Sequence, residues 1–158
     1  MLLKKPRRVI ICDIDPQRLQ FVQEHHPEVL TCGPDQVHEL VQTYSRHGGA
    51  DVVLEVAGTD DTFRMAWECA RPNAIVTVVA LYNGPQTLPL PDMYGKNLTF
   101  KTGGVDGCDC AETLRLISEG KLDTTPLITH TYHLSDIEAA YDLFEHHRDG
   151  VIKVAIEP

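Results

Sequence analysis

The stretch Val9-Ile10-Ile11-Cys12-Asp13-Ile14-Asp15-Pro16 decides how the rest of the chain is read. A short apolar run stops at an acid, and Asp15-Pro16 then supplies a helix N-cap followed by proline at the first helical position. This is the pattern of the second strand of a dinucleotide-binding α/β fold, where the acid at the strand's carboxyl end accepts hydrogen bonds from a ribose diol. The first strand of such a fold, its glycine turn and its crossover helix need about 20 residues ahead of that acid. Only eight residues precede Val9. No G-x-G-x-x-G occurs, and the clusters Gly48-Gly49 and Gly103-Gly104-Val105-Asp106-Gly107 have the wrong spacing. The expectation is a Rossmann-type, doubly wound parallel sheet, truncated so that its first strand and glycine turn are missing, with residues 1–158 forming one N-terminally truncated domain.

Working outward, strands and helices alternate. The helix opened by Asp15 runs to about His26 with Leu19 and Val22 toward the sheet, and Val29-Leu30-Thr31 forms a short strand. Val37, Leu40, Val41 and Tyr44 recur at helical spacing. The run Asp51 to Ala57 is almost continuously apolar, as expected of a parallel strand covered on both faces, and Gly58 follows it. Phe63, Ala66, Trp67 and Ala70 mark the next helix face, and Ala74 to Ala80 a further strand. Prolines 89 and 91 are expected to break regular structure. A strand over Asn97 to Thr102, a helix over Ala111 to Glu119, an extended segment over Leu127 to Tyr132, a helix from Leu134-Ser135-Asp136 to about His147 and a strand over Val151 to Ile156 complete the chain. Strands separated by helices give a parallel sheet with helices on its faces.

Composition narrows the function classes. At 158 residues and 42% hydrophobic content the chain suits one core. A formal charge of −9 argues against nucleic acid, which is bound through clustered Lys and Arg. Lys4-Lys5-Pro6-Arg7-Arg8 is the one basic cluster and reads as a solvated end. No apolar run approaches the roughly 18 residues of a membrane span, so the expected location is the cytoplasm. Five cysteines, in apolar runs (Cys12, Cys69) or loops (Cys32, Cys108, Cys110), suggest reduced thiols.

Six stretches taken in order carry a resemblance: residues Ile11–Leu19 (ICDIDPQRL), Gly49–Gly58 (GADVVLEVAG), Lys96–Gly104 (KNLTFKTGG), Pro126–Leu134 (PLITHTYHL), Ile137–Phe144 (IEAAYDLF) and Gly150–Val154 (GVIKV). Together they resemble the C-terminal, nucleotide-binding half of the zinc-dependent medium-chain alcohol dehydrogenases, sorbitol and other polyol dehydrogenases included. The resemblance implies hydride transfer between an alcohol or polyol and NAD. It also implies that Asp13 holds both adenosine ribose hydroxyls and disfavours a 2′-phosphate. The alternative for Asp13, a helix-capping acid, is already filled by Asp15. Arg18 would approach the same ribose or stand as a solvated helix residue. Gly58 would leave room beside the cofactor or serve as a turn glycine. Val79, Ala80 and Leu81, with Gly103 and Val105, would lend backbone groups near the nicotinamide, and Lys153 would reach the pyrophosphate in place of an arginine. The segment around residues 80–105 would pair two copies edge to edge.

The departures are as informative. The zinc ligands, substrate pocket and proton relay of that family belong to a GroES-like catalytic domain not encoded in these residues. Cys108-Asp109-Cys110, His130 with His133, His25-His26 and His146-His147 lack structural-zinc spacing. No G-x-S-x-G surrounds Ser45, Ser118 or Ser135. No catalytic residue and no metal ligand is therefore assigned, NAD binding is expected to be weak without the phosphate turn, and the isolated chain is expected to be inactive. Two alternatives stay open: a non-catalytic, oligomerising Rossmann module, and an S-adenosylmethionine-dependent methyltransferase. For the strands flanking the missing one, the expectation is either direct pairing of Val9–Asp13 with Asp51–Ala57 or marginal stability.

Overall fold

The computed structural model describes residues 2–103 and 109–158. The chain divides into two compact units, Met1–Asp106 and Gly107–Pro158. In the first, the order is β1 (Ile10–Cys12), α1 (Pro16–His25), β2 (Leu30–Cys32), α2 (Pro34–Tyr44), β3 (Ala50–Glu55), α3 (Asp60–Cys69), β4 (Ala70–Val78), α4 (Leu90–Met93) and β5 (Thr99–Thr102). The second holds α5 (Cys110–Ser118), β6 (Ile128–His133), α6 (Ile137–Glu145) and β7 (Lys153–Glu157), with β6 and β7 paired in parallel. Every strand pair among the described residues is parallel, and the fold is Rossmann-type α/β.

Local chemistry sets the helix starts. Asp15 caps α1 by accepting the Gln17 N–H, with Pro16 next to it in the first turn. Thr59 and Thr62 form a reciprocal capping box at the start of α3. The proline-rich stretch does form one turn of helix, α4, contrary to expectation: Pro91 falls in the first turn, where a missing N–H leaves no bond unmade. β5 is shorter than the run over Asn97 to Thr102 that announced it, and β4 starts four residues earlier than Ala74.

Two sheets make up the first unit. β1 pairs with β2, and β4 lies between β3 and β5. β1 and β3 do not pair, so the gap that separates their strands in the expected strand order is not closed by direct contact. Among the described residues, neither the second edge of β1 nor that of β3 has a strand partner. The expectation that β3 is covered on both faces also needs correcting. Val53 packs with Val76 and Val78 against Ala66 and Ala70 of the α3 side. On the opposite face Val52, Leu54 and Val56 remain 43%, 41% and 67% exposed. Side chains alternate along a strand, and α3 covers one of the two sets.

The buried centre of this unit is carried by three small groups of side chains. Cys32, Val37, Val41 and Cys69 pack with Ile10 and Cys12; Ala66, Ala70, Ala74 and Val76 form a second group; Phe63, Trp67 and Met93 form a third. Cys32 thus belongs to a buried strand and not to a loop. It stands directly opposite Cys12 in the β1–β2 register. Burial, then Cys32, pushes the Cys12 thiol up to about 11, and burial does the same for Cys69. Cys12, Cys32, Cys69 and Cys110 are all free thiols; Cys108 lies outside the described residues.

Candidate functional site

In a parallel sheet the carboxyl ends of the strands share one edge, and ligands bind in the crevice beyond it. Asp13 follows β1. Its N–H bonds to Cys32 O at 3.2 Å, which fixes the backbone, and its Oδ1 accepts the Asp15 N–H at 2.9 Å. Among the described residues nothing bonds Oδ2, which leaves one carboxylate oxygen for an external donor. Ile14 beside it is 86% exposed. Arg18 turns toward the helix cap, 3.7 Å from Asp15 Oδ2.

The next two strand ends meet. Val79 and Ala80 donate their N–H groups to Glu55 O at 2.9 and 3.4 Å, so the chain leaving β4 stays against the end of β3. Gly58 has φ +83°, and a Cβ there would sit 2.6 Å from Leu81 O. Glycine is required at this position by a neighbouring carbonyl as well as by its own backbone. Leu81 is 94% exposed and Val79 is exposed, giving this edge an apolar rim beside polar backbone.

The structure also places here a residue that pattern reading passed over as part of a strand. Glu55 is the one buried charged side chain among the described residues, 3% exposed. Its Oε1 accepts from Ala57 N and Gly58 N, each at 2.9 Å, and from Thr62 Oγ1 at 2.8 Å, while Oε2 accepts from the Tyr82 hydroxyl. Burial works to raise its pKa, but the hydrogen bonds from Tyr82, Gly58, Thr62 and Ala57 outweigh it and hold the carboxyl below its ordinary range. Tyr82 is pushed in the other direction, by burial and by its bond to Glu55. The available signal was an acid at the carboxyl end of an apolar run, three residues before a glycine.

Gly103, Val105 and Lys153 are the remaining predicted positions. Gly103 follows β5, exposed, with open space where a Cβ would stand. Val105 lies outside the described residues. Lys153 opens β7 in the second unit, where its carbonyl accepts from Thr129 Oγ1 at 3.2 Å. A separate groove of about 520 Å³ runs between α3 and residues 85–92, and no predicted site residue lines it.

The histidine pairs have local partners. His25 Nδ1 donates to Phe21 O and His146 Nδ1 to Asp142 O, each at 2.9 Å within its own helix. His130 contacts Thr129 and Asp149. Among the described residues no three His, Cys, Asp or Glu side chains are grouped as a metal ion requires. A catalytic zinc therefore does not fit the described residues, and no step is assigned to one.

Comparisons with known proteins bear on the family and the fold. Residues 5–119 match the family model described as zinc-binding dehydrogenase. An alcohol dehydrogenase from Cupriavidus necator is 30% identical over 160 residues, covering 95% of this chain and 42% of its own length. A zinc-dependent alcohol dehydrogenase from Streptococcus pneumoniae superposes with a TM-score of 0.87 at 25% identity, over 96% of this chain and 45% of that one. A structure titled as a short chain alcohol dehydrogenase from E. coli CFT073, complexed with NADH, superposes with a TM-score of 0.84 at 20% identity, over 97% of this chain and 46% of that one. The chain thus spans less than half the length of the relatives it matches. The family match displaces the methyltransferase alternative. The chain belongs to the zinc-binding dehydrogenase family and corresponds to the nucleotide-binding part of its members.

Proposed function

We propose that this chain is the NAD-binding part of a zinc-type alcohol or polyol dehydrogenase. The observation that carries this is Asp13, held at the tip of a parallel strand by Asp15 N–H and Cys32 O, with Oδ2 left for a ribose hydroxyl. The exposed apolar edge of Ile14, Val56 and Leu81 supports the same reading. Asp13 holds the adenosine end, and Gly58 with Val79, Ala80 and Leu81 floors the other; Arg18, Gly103, Val105 and Lys153 are secondary contacts of the whole enzyme. When bound, NAD supplies the hydride acceptor. The alcohol or polyol is held and activated by residues other than those described, so the chain alone binds nucleotide weakly and turns nothing over.

The test is a calorimetric titration of the chain with NADH and NADPH. NADH binds in preference, and Asp13→Ala weakens it at least about tenfold, the worth of one charge-assisted bond to a ribose hydroxyl, while NADPH is unaffected or improved. Equal binding of both nucleotides by the two forms overturns the reading.

A second element of the proposal is a homo-oligomer. β5 pairs with β4 on one side and with no described strand on the other, leaving the backbone of Thr99–Thr102 open to a second copy. Light scattering after size-exclusion chromatography should give a dimer mass, reduced to monomer by Phe100→Pro, which removes a donor from that edge. A monomer throughout would remove this element. Among the described residues no helix is long and apolar enough to cross a membrane. We place the protein in the cytoplasm, a location its free thiols support; a disulfide recovered from cells at Cys12, Cys32 or Cys69 contradicts it.

A further inference from the structure

Four hydrogen bonds converge on the buried carboxylate of Glu55, and no ion pair accompanies them among the described residues. The donors come from three places: the turn after β3 (Ala57, Gly58), the first turn of α3 (Thr62) and the segment after β4 (Tyr82). The main-chain oxygen of the same residue takes the N–H groups of Val79 and Ala80. One residue therefore grips residues 57–58 with its side chain and residues 79–82 with both side chain and backbone. The two segments also touch directly, since the Cβ position of Gly58 lies 2.6 Å from Leu81 O.

We propose that Glu55 is a positioning residue that locks these two segments into one rigid floor for the nicotinamide half of the cofactor. This rests on the reading above that Gly58 and Val79–Leu81 face the nucleotide. A carboxylate suits the task because it is acceptor-only and takes several donors at once. Burial makes each of those bonds count, because an unmade one leaves a polar group without water. The lock also separates the two ends of the site. Asp13 takes its backbone bond from β2 and its side-chain bond from Asp15, and among the described residues it has no bond to Glu55, so loosening the floor leaves the adenosine end in place.

The test uses the full chain and two ligands, NADH and ADP-ribose, the second lacking nicotinamide. Tyr82→Phe, which removes one donor from a half-buried loop and spares the fold, weakens NADH about fivefold, the value of one such bond, and leaves ADP-ribose within twofold. Glu55→Ala does the same more strongly. Glu55→Gln restores most of the affinity, because its amide oxygen still accepts from Ala57, Gly58 and Thr62 while its NH2 group donates to Tyr82. In the absence of nucleotide, Tyr82→Phe also speeds amide exchange at Ala57 and Gly58, on the far side of the carboxylate. Unchanged exchange there, or equal loss of both ligands, overturns the positioning role even if the wild type binds well. A wild type that binds neither ligand overturns the nucleotide reading itself, and the floor with it.

Discussion

Amide exchange along β1 and β3 is expected to alternate residue by residue, with Ile10, Cys12, Val52 and Leu54 exchanging at least about a hundredfold faster than Ile11, Asp13 and Val53. The reason is the direction of the peptide groups. Leu30 N–H bonds to Val9 O and Asp13 N–H to Cys32 O, so residues 9, 11 and 13 turn their backbone groups toward β2. Ile10 and Cys12 turn theirs away. On β3 the carbonyl of Glu55 accepts from Val79, so Val53 and Glu55 address β4, while Val52 and Leu54 address the side with no described partner. Backbone groups in that position must be satisfied by water or by another strand. Exchange measured by NMR decides the matter. Uniform protection would mean that β1 and β3 are bridged in solution, as one of the two sequence-based expectations held.

Replacing Lys96 by methionine should lower stability by about 2 kcal/mol, enough to shift the thermal midpoint by about 4–8 °C in a domain of this size. Lys96 Nζ donates to three carbonyls at the end of α3, Trp67 O and Glu68 O at 3.0 Å and Ala70 O at 3.1 Å. It also stands 5.4 Å over the Trp67 ring. The last carbonyls of a helix have no partner of their own and carry the negative end of its dipole, and here one cation serves three of them. Methionine keeps the length and the packing but removes every donor, so the loss reports the bonds and not a cavity. Urea unfolding of the two forms measures it. A difference below about 0.5 kcal/mol would mean that water replaces the ammonium group without penalty.

The sequence reading was strongest where chemistry is local. Asp15-Pro16 announces a capped helix from two residues, and the structure caps it as expected. Val37 and Val41 at helical spacing are buried in α2 as the pattern implies. It was weaker wherever the answer depends on what lies across a gap in space. A mostly apolar run such as Asp51 to Ala57 looks the same whether one face or two are covered, and only the placement of α3 tells them apart. Glu55 was missed for a related reason. Its four donors come from sequence separations of 2, 3, 7 and 27 residues, and the most distant, Tyr82, stands outside any recognisable motif. Cys32 read as a loop residue because its strand is only three residues long.

The uncovered ribbon of Val52, Leu54 and Val56 bears on the life of the protein in a cell. Chaperones and proteases continuously triage the unfolded fraction of a protein, so a change of about 1–2 kcal/mol in stability alters steady-state abundance several-fold. A contact that shields those three side chains would add stability, and with it standing amount, before any question of turnover arises.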